Sequence, residues 1–511
     1  MMSKQLVIVL SCAIVFSGLA FVKADTTDGY LVPELRYRDG SPVYAHPVSV
    51  EVKNTTGAPD AGTAPDAQPS GAQPLLADSW WNQYHHNYYK DGYANTNLEI
   101  TASNSAKISL GYGQKISGSP VVTAQKAMVQ NYDNMYAYNF DFSSGATPVW
   151  TITNQKTHFS AASDGTYVWN IILYVDGDGL QWGCMDKFYV STGAVATYGP
   201  CWLLSSVDHF TDIVYTSVGP GGQGQHVYVL VDYLGSSPPA GLYSYDAQTL
   251  VFNWRTYLET HITQSSPVVL QRTYEVREIM LGDNNGKFYV FREDNGVISA
   301  YYNTGTAIKY AATIDISLWA QVYVVTTGGK LYKFDKNSFN SISKVWERQL
   351  EGVVNTFTSP VNAGNWVFVK MTYLNAANYN YYNRVTMVMK NNSISYSSAS
   401  VGTAIEWNSG NAIVPSIAVT NNHVFSPYVF KSATNYYYPS VMSLIYNSAG
   451  QFTSQTYFTC QNSPYSASPV FAVDSSPAIV YQQSTNKWLL YFTWYYNNGA
   501  GDAGACKFPL V

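Results

Sequence analysis

The sequence predicts an all-β chain folded as a closed ring of eight four-stranded blades, an eight-bladed β-propeller. Three observations carry that prediction. A two-part phrase recurs with a period of about 50 residues, the mark of one supersecondary unit copied many times. The composition holds 44 tyrosines and only 12% charged residues, which suits half-buried pleated surfaces. No stretch of the body sustains a 3.6-residue apolar period with helix caps, whereas turn signals are frequent.

The first part of the phrase is a short apolar run opened by Ser-Pro or a close variant. The second is an aromatic strand ending in an acidic residue, often followed by a turn and a Trp. Ser119-Pro120-Val121-Val122 leads to Met135-Tyr136-Ala137-Tyr138-Asn139-Phe140-Asp141 and Trp150. Ser266-Pro267-Val268-Val269 leads to Lys287-Phe288-Tyr289-Val290-Phe291. Leu242-Tyr243-Ser244-Tyr245-Asp246 ends at Trp254, and Leu331-Tyr332-Lys333-Phe334-Asp335 at Trp346. Innermost strands are expected to begin near Ser119, Ala162, Asp212, Ser266, Ala312, Ser359, Pro415 and Ser468. Each unit then has room for four strands of about 5–6 residues and their turns.

Residues 1–24 read as a secretory signal: Lys4, an apolar stretch from Leu6 to Val22, and a cleavage site before Asp25. Residues 25–53 form a mixed N-terminal segment with room for a strand. Residues 54–77, rich in Ala, Pro and Gly, cannot bury a core and read as a flexible, disordered linker. The propeller is expected over 78–511. A ring must close or leave edges exposed, so residues just after the lead-in Trp80–Thr96, near Ile100, or residues before it, are expected to give the last unit its outer strand.

Loss of the leader leaves 26 basic against 33 acidic residues, a net charge of −7, with no basic cluster for nucleic acid. No later segment is long and apolar enough for a membrane span. Cys12 leaves with the leader. The remaining Cys184, Cys201, Cys460 and Cys506 suit an oxidising compartment, with Cys184–Cys201 and Cys460–Cys506 the preferred pairs among three pairings. Asn54 and Asn391 head glycosylation sequons.

The repeated phrase resembles the pyrroloquinoline-quinone-like repeat of the quinoprotein alcohol dehydrogenase propellers. Leu242–Asp246 with Trp254 and Leu331–Asp335 with Trp346 match it, Met135–Tyr138 with Trp150 is close, and the aromatic, His-His and Gly-Tyr lead-in is similar. The resemblance covers roughly residues 80–511. It implies an eight-bladed ring in which Trp150, Trp254 and Trp346 dock each blade on a peptide plane of the next. The sixth and seventh copies lack that Trp, so the docking is expected to degenerate there. The resemblance also implies a quinone and calcium at the channel mouth, but this chain has no adjacent cysteine pair, and no motif supplies the calcium ligands.

No Gly-x-Ser-x-Gly, His-Glu-x-x-His or phosphate-cradling loop is present. Asp176 and Asp178 resemble part of a calcium loop but lack its further oxygens and closing Glu, and read as a hairpin turn. Adjacent His85 and His86 would face opposite sides of a strand. The chain therefore reads as a secreted, non-catalytic binding or scaffolding propeller with no cofactor. Its extracellular protein or glycan ligand would meet rim loops around Tyr373, Tyr379, Tyr381, Tyr436 and Tyr437. Tyr and Asn suit adaptable contacts there. The alternative is a quinoprotein-like oxidoreductase using quinone and calcium, or an extracellular glycan hydrolase.

Overall fold

In a computed structural model, residues 30–37, 42–45 and most of 93–511 are described. Residues 1–29, 38–41, 46–92 and shorter connections, the longest being 404–415 and 461–468, lie outside the description. The leader, the linker, His85, His86, Asn54, Tyr379 and Tyr436 therefore fall outside it. Among the described residues no helix is long and apolar enough to cross a membrane.

Eight antiparallel sheets follow one another around a ring, numbered here as blades in chain order. Each runs from an inner strand through a second and a third to an outer one. Blade 1 comprises Val121–Val122, Lys126–Gln130, Asn134–Asn139 and Trp150–Thr153. Blade 2 comprises Ala162–Ser163, Tyr167–Val175, Gln181–Tyr189 and Pro200–Leu203. Blade 3 has a split inner strand, Val207–Phe210 and Val214–Thr216, then His226–Tyr233, Ala240–Asp246 and Phe252–Leu258. Blades 4 and 5 span 268–303 and 313–349. Blade 6 splits its inner strand again, Val354–Phe357 and Val361–Ala363, before Trp366–Asn375, Asn380–Met389 and Ser397–Thr403. Blade 7 holds Ala418–Thr420, His423–Lys431, Tyr437–Tyr446 and Phe452–Thr459. Blade 8 takes Pro469–Val470, Ala478–Gln482, Lys487–Tyr496 and Asp502–Leu510 from the C-terminal end.

The outer strand of blade 8 is Ala106–Tyr112, paired to the third strand from Lys107↔Cys506 to Tyr112↔Asp502. Closure thus comes from just beyond the lead-in, a few residues later than Ile100, which itself bridges Leu510. Upstream, Tyr93–Ala94 lies parallel to the inner strand of blade 7. The N-terminal segment supplies a hairpin, Tyr30–Tyr37 and Pro42–Ala45, which extends the outer edge of blade 2 through Leu35↔Trp202.

Middle strands are buried on both faces, because each face meets another blade. Val227 to Tyr233 and Glu278 to Gly282 are accordingly continuous buried runs. Outer strands alternate instead: Trp150–Thr153 is buried and exposed in turn. The core therefore lies between sheets. One cluster joins Tyr228, Leu230 and Trp254 of blade 3 to Ile279, Leu281 and Tyr289 of blade 4.

The Ser of the repeated phrase has a structural task. At the head of the inner strands these serines form a hydrogen-bonded girdle around the axis. Ser476 N–H donates to Ser119 Oγ (2.7 Å), Ser119 N–H to Ser160 Oγ (2.8 Å), and Ser160 N–H to Asp212 Oδ1 (2.6 Å). Ser266 Oγ donates to Asp212 Oδ2, and Ala311 N–H to Ser359 Oγ (3.0 Å). In blade 8 an inner strand piece, Pro469–Val470, begins where the sequence places it, near Ser468, and the girdle residue is Ser476. The phrase occurs twice there, and only the second copy heads the strand piece that packs toward blade 1.

Three outer-strand tryptophans reach the following blade through their indole N–H groups. Trp150 Nε1 donates to Val190 O (2.8 Å), Trp254 Nε1 to Glu293 O (2.6 Å) and Trp346 Nε1 to Lys390 O (3.3 Å). Each acceptor is the first residue past the third strand of the following blade. Glycines at positive φ leave the indoles room: a Cβ on Gly193 or Gly296 would lie 2.7 or 2.4 Å from Trp150 or Trp254. Elsewhere another side chain does the same work from the second strand. Trp169 Nε1 reaches Ala247 O (3.2 Å), and Tyr491 hydroxyl donates to Phe140 O. In blade 6, whose outer strand Ser397–Thr403 carries no Trp, Trp366 of the second strand packs on Gly450 of blade 7.

Cys184 and Cys201 face each other across the third and outer strands of blade 2, Cα–Cα 4.0 Å. Cys460 and Cys506, Cα–Cα 6.1 Å, link blade 7 to blade 8. Buried ion pairs also cross between blades. Lys336 Nζ meets Glu278 Oε1 at 2.7 Å with both side chains sealed from solvent, and Lys390 meets Asp315 at 2.5 Å.

Ser160→Ala strands the buried Ser119 N–H and should cost about 1–3 kcal/mol in urea unfolding. Trp254→Ala opens a cavity between blades 3 and 4 and should cost about 3–5 kcal/mol by the same measurement. Lys370, buried in blade 6 with its ammonium on Pro427 O (2.8 Å), is pushed down to about 7 by burial. An unfolded Lys titrates near 10.4. Between these values the unfolded chain holds the extra proton, so stability rises with pH across that window. Lys370→Met should remove this rise and increase the melting temperature at pH 7.

Candidate functional site

Connections between second and third strands all emerge on one rim, together with the connectors that lead from an outer strand to the next blade. Two features are built there. The first is a set of long hairpins. In blades 4 and 5 the second strands have five residues. In blades 6 and 8 the second and third strands have nine or ten, and blade 7 matches them. At about 3.3 Å per residue the extra length lifts these tips roughly 15 Å above those of blades 4 and 5.

The tips are rich in Tyr and Asn. In blade 6, Tyr373 stands opposite Tyr382, Leu374 opposite Tyr381, and Asn375 opposite Asn380. In blade 7, Tyr437 pairs with Lys431 and Tyr438 with Phe430. The expected ligand-loop residues Tyr373, Tyr381 and Tyr437 thus lie at the raised ends of adjacent hairpins. Blade 8 adds Tyr495 and Tyr496, paired with Val470 and Pro469, which the sequence reading did not single out. Asn391 is exposed in the turn at the other end of the blade 6 hairpin.

The second feature lies in blade 3. The inner strand Val207–Phe210 slips register against the second strand between Val207↔Tyr233 and His209↔Asp232. Such a bulge lets two consecutive side chains converge instead of facing opposite ways. Asp208 Oδ2 approaches His209 Nδ1 at 2.9 Å, and Asp232 Oδ2 lies 3.9 Å from the same nitrogen. His261, on the connector to blade 4, places Nδ1 3.2 Å from Asp232 Oδ2, while Ile262 N–H donates to Asp232 Oδ1 at 2.9 Å. Asp232 is only 5% exposed, and its carboxyl is raised, above all by burial. Asp208, His209 and Asp232 are the one group of potential metal ligands among the described residues.

The residues singled out as a partial calcium loop do not gather there. Asp176 sits at the hairpin tip of blade 2 with its carboxylate already engaged. Oδ1 accepts from Asp178 N–H (3.0 Å) and Leu180 N–H (2.9 Å), and Oδ2 from Trp182 Nε1 (2.9 Å). These bonds hold its pKa below the usual carboxylate range, the Trp182 bond most of all. Asp176 and Asp178 thus form the turn rather than an ion site.

A second polar cluster is sealed between blades 3 and 4. Arg277 donates to Thr216 Oγ1 (3.0 Å) and Gly224 O (2.8 Å) and lies 3.7 Å from Glu293, which also accepts from Tyr228 OH (2.9 Å). His226 approaches Glu293 at 3.0 Å, and burial lowers its pKa. These contacts tie blade 3 to blade 4, with Arg277 Nε left without a hydrogen-bond partner.

A quinone cradle does not fit the described residues. The four cysteines pair across strands and between blades, not as neighbours in sequence. The ligand group at blade 3 contains an imidazole and only two carboxylates, whereas calcium takes six to eight oxygens. No step of quinone chemistry follows from these residues.

No protein-family model matches the sequence, and no curated protein matches it significantly. Solved structures with a similar course include a quinohemoprotein alcohol dehydrogenase from Pseudomonas putida HK5. It is 11% identical, with a TM-score of 0.52, and the match covers 84% of this chain and 80% of that one. A europium-containing methanol dehydrogenase (11% identity, TM-score 0.48, 85% and 98% covered) and BamB from Moraxella catarrhalis (11%, 0.45, 81% and 100%) are also similar. At these identities the likeness to the Pseudomonas enzyme speaks to fold alone, and the fold is that of a β-propeller.

Proposed function

We propose that this chain is a secreted, non-catalytic propeller of the pyrroloquinoline-quinone-like repeat type, and that it binds an extracellular protein or glycan through one rim. The observation that carries this reading is the run of raised hairpins on blades 6, 7 and 8. Three consecutive blades lift Tyr- and Asn-bearing tips above those of blades 4 and 5, and the one other hairpin of such length, in blade 2, carries Asp176 to Gly179 at its tip instead. Tyr offers large contact area at low entropic cost, stacks on sugar faces and keeps a polar tip for hydrogen bonds. The rigid sheets beneath hold such side chains in place before a ligand arrives, which reduces the ordering penalty of binding. Two cysteine pairs and an exposed Asn391 sequon agree with an oxidising, extracellular setting.

The test is a comparison of the whole mature chain with a Tyr373→Ala/Tyr381→Ala/Tyr437→Ala variant on a glycan array and in pull-downs from extracellular material. The wild type should retain a defined glycan or protein, and the variant should lose at least about tenfold in affinity, as hot-spot tyrosines do. Equal retention by both, or none by either, would overturn the reading. Dye-linked alcohol oxidation after adding quinone and calcium should stay at background.

A further inference from the structure

We propose that Asp208, His209 and Asp232 form a binding site for one divalent transition-metal ion of the zinc or manganese class, with His261 as the positioning residue for Asp232. The proposal does not depend on the tyrosine-bearing hairpins.

The donor geometry suits a small ion. Metal–nitrogen and metal–oxygen bonds of about 2.0–2.2 Å place tetrahedral ligands roughly 3.3–3.5 Å apart. Here Oδ2 of Asp208 and Oδ2 of Asp232 lie 2.9 and 3.9 Å from His209 Nδ1, on either side of that span. All three donor atoms fall within 4.8 Å of one another. Two carboxylates and one imidazole are the mixed oxygen and nitrogen set that such ions take.

The charge arrangement points the same way. Three carboxylates buried between blades have a permanent cation, Glu278 with Lys336, Asp315 with Lys390 and Glu293 with Arg277, while buried Asp283 is held by the Tyr289 hydroxyl and two backbone N–H groups. Asp232 is equally buried, yet among the described residues its ion-pair partners are His209 and His261, whose charge is not fixed. A bound divalent ion would supply the missing positive charge.

The surroundings also resemble a support for a metal site. Ile262 N–H holds Oδ1 of Asp232, which leaves Oδ2 turned toward His209. His261 touches both oxygens of the same carboxylate, at 3.3 and 3.2 Å, and fixes its plane. The bulge at Asp208 is what brings two successive residues to one point. Three protein ligands leave at least one position for an oxygen of water or of a bound molecule at the rim.

The whole chain, stripped with chelator, would be titrated with Zn2+, Mn2+ and Co2+ by calorimetry, with the cobalt visible spectrum as a second readout. One ion per chain should bind and raise the melting temperature. Asp208→Asn and His209→Ala should each lower affinity at least about 100-fold, and His261→Ala about 10–100-fold. Asp208 is exposed, so its variant should melt like the metal-free wild type, which separates ligand loss from unfolding. His85→Ala/His86→Ala should bind as the wild type does. Absence of binding, unchanged affinity in both ligand variants, or loss of binding in the His85/His86 variant would each overturn the proposal.

Discussion

Every blade of this protein has two apolar faces and nothing but its neighbours to cover them. That constraint makes the ring a single cooperative object. A sheet of four strands cannot stand alone with both faces wet, so the structure invests its polar chemistry in the joints. At the axis, a serine hydroxyl or Asp212 accepts the backbone N–H of the preceding blade. Further out, an indole or phenol donates to the carbonyl just past the third strand of the following blade. Both bonds satisfy backbone groups that the crowded interfaces would otherwise leave unpaired. Apolar packing supplies most of the attraction, and the hydrogen bonds set the angular position of one sheet against the next.

The docking position shows that geometry, not residue identity, is what the ring requires. Blades 1, 3 and 5 use a Trp from the outer strand, while blades 2 and 8 reach the equivalent carbonyl from the second strand with Trp169 and Tyr491. Buried ion pairs such as Lys336–Glu278 occupy further joints. A charge placed there tolerates only its complement, which disfavours slipped or swapped blade contacts.

Much of this was legible in the chain. Ser-Pro followed by two apolar residues marks the axis because an acceptor and a buried strand are wanted there together, although Asp212 stands at that place in blade 3 and Ala311 in blade 5. The aromatic strand and its trailing Trp mark the third strand and the joint. What stayed hidden depends on register or on distant residues. Trp169 and Trp366 lie in the second strand, outside the repeated phrase. Ser476 was masked by the earlier Ser-Pro at Ser468. Asp208 and His209 alternate on an ideal strand and would diverge; only the slip opposite Tyr233 turns them together. His261 comes from a connector some 30 residues away, and no local pattern announces that meeting. The raised tips were readable as Tyr and Asn clusters, but their shared height needed the strand lengths of three blades.

The composite eighth blade has a consequence for biogenesis. Its outer strand is made early in synthesis, whereas its other strands end at Leu510. Until Asp502–Leu510 has been made, Ala106–Tyr112 lacks its strand partner, and the first and eighth sheets each keep a bare flank. Such a nascent chain exposes an unpaired strand edge for most of its translation, a hazard for association with other chains. Keeping the chain unfolded until Asp502–Leu510 has been made would spare it that exposure.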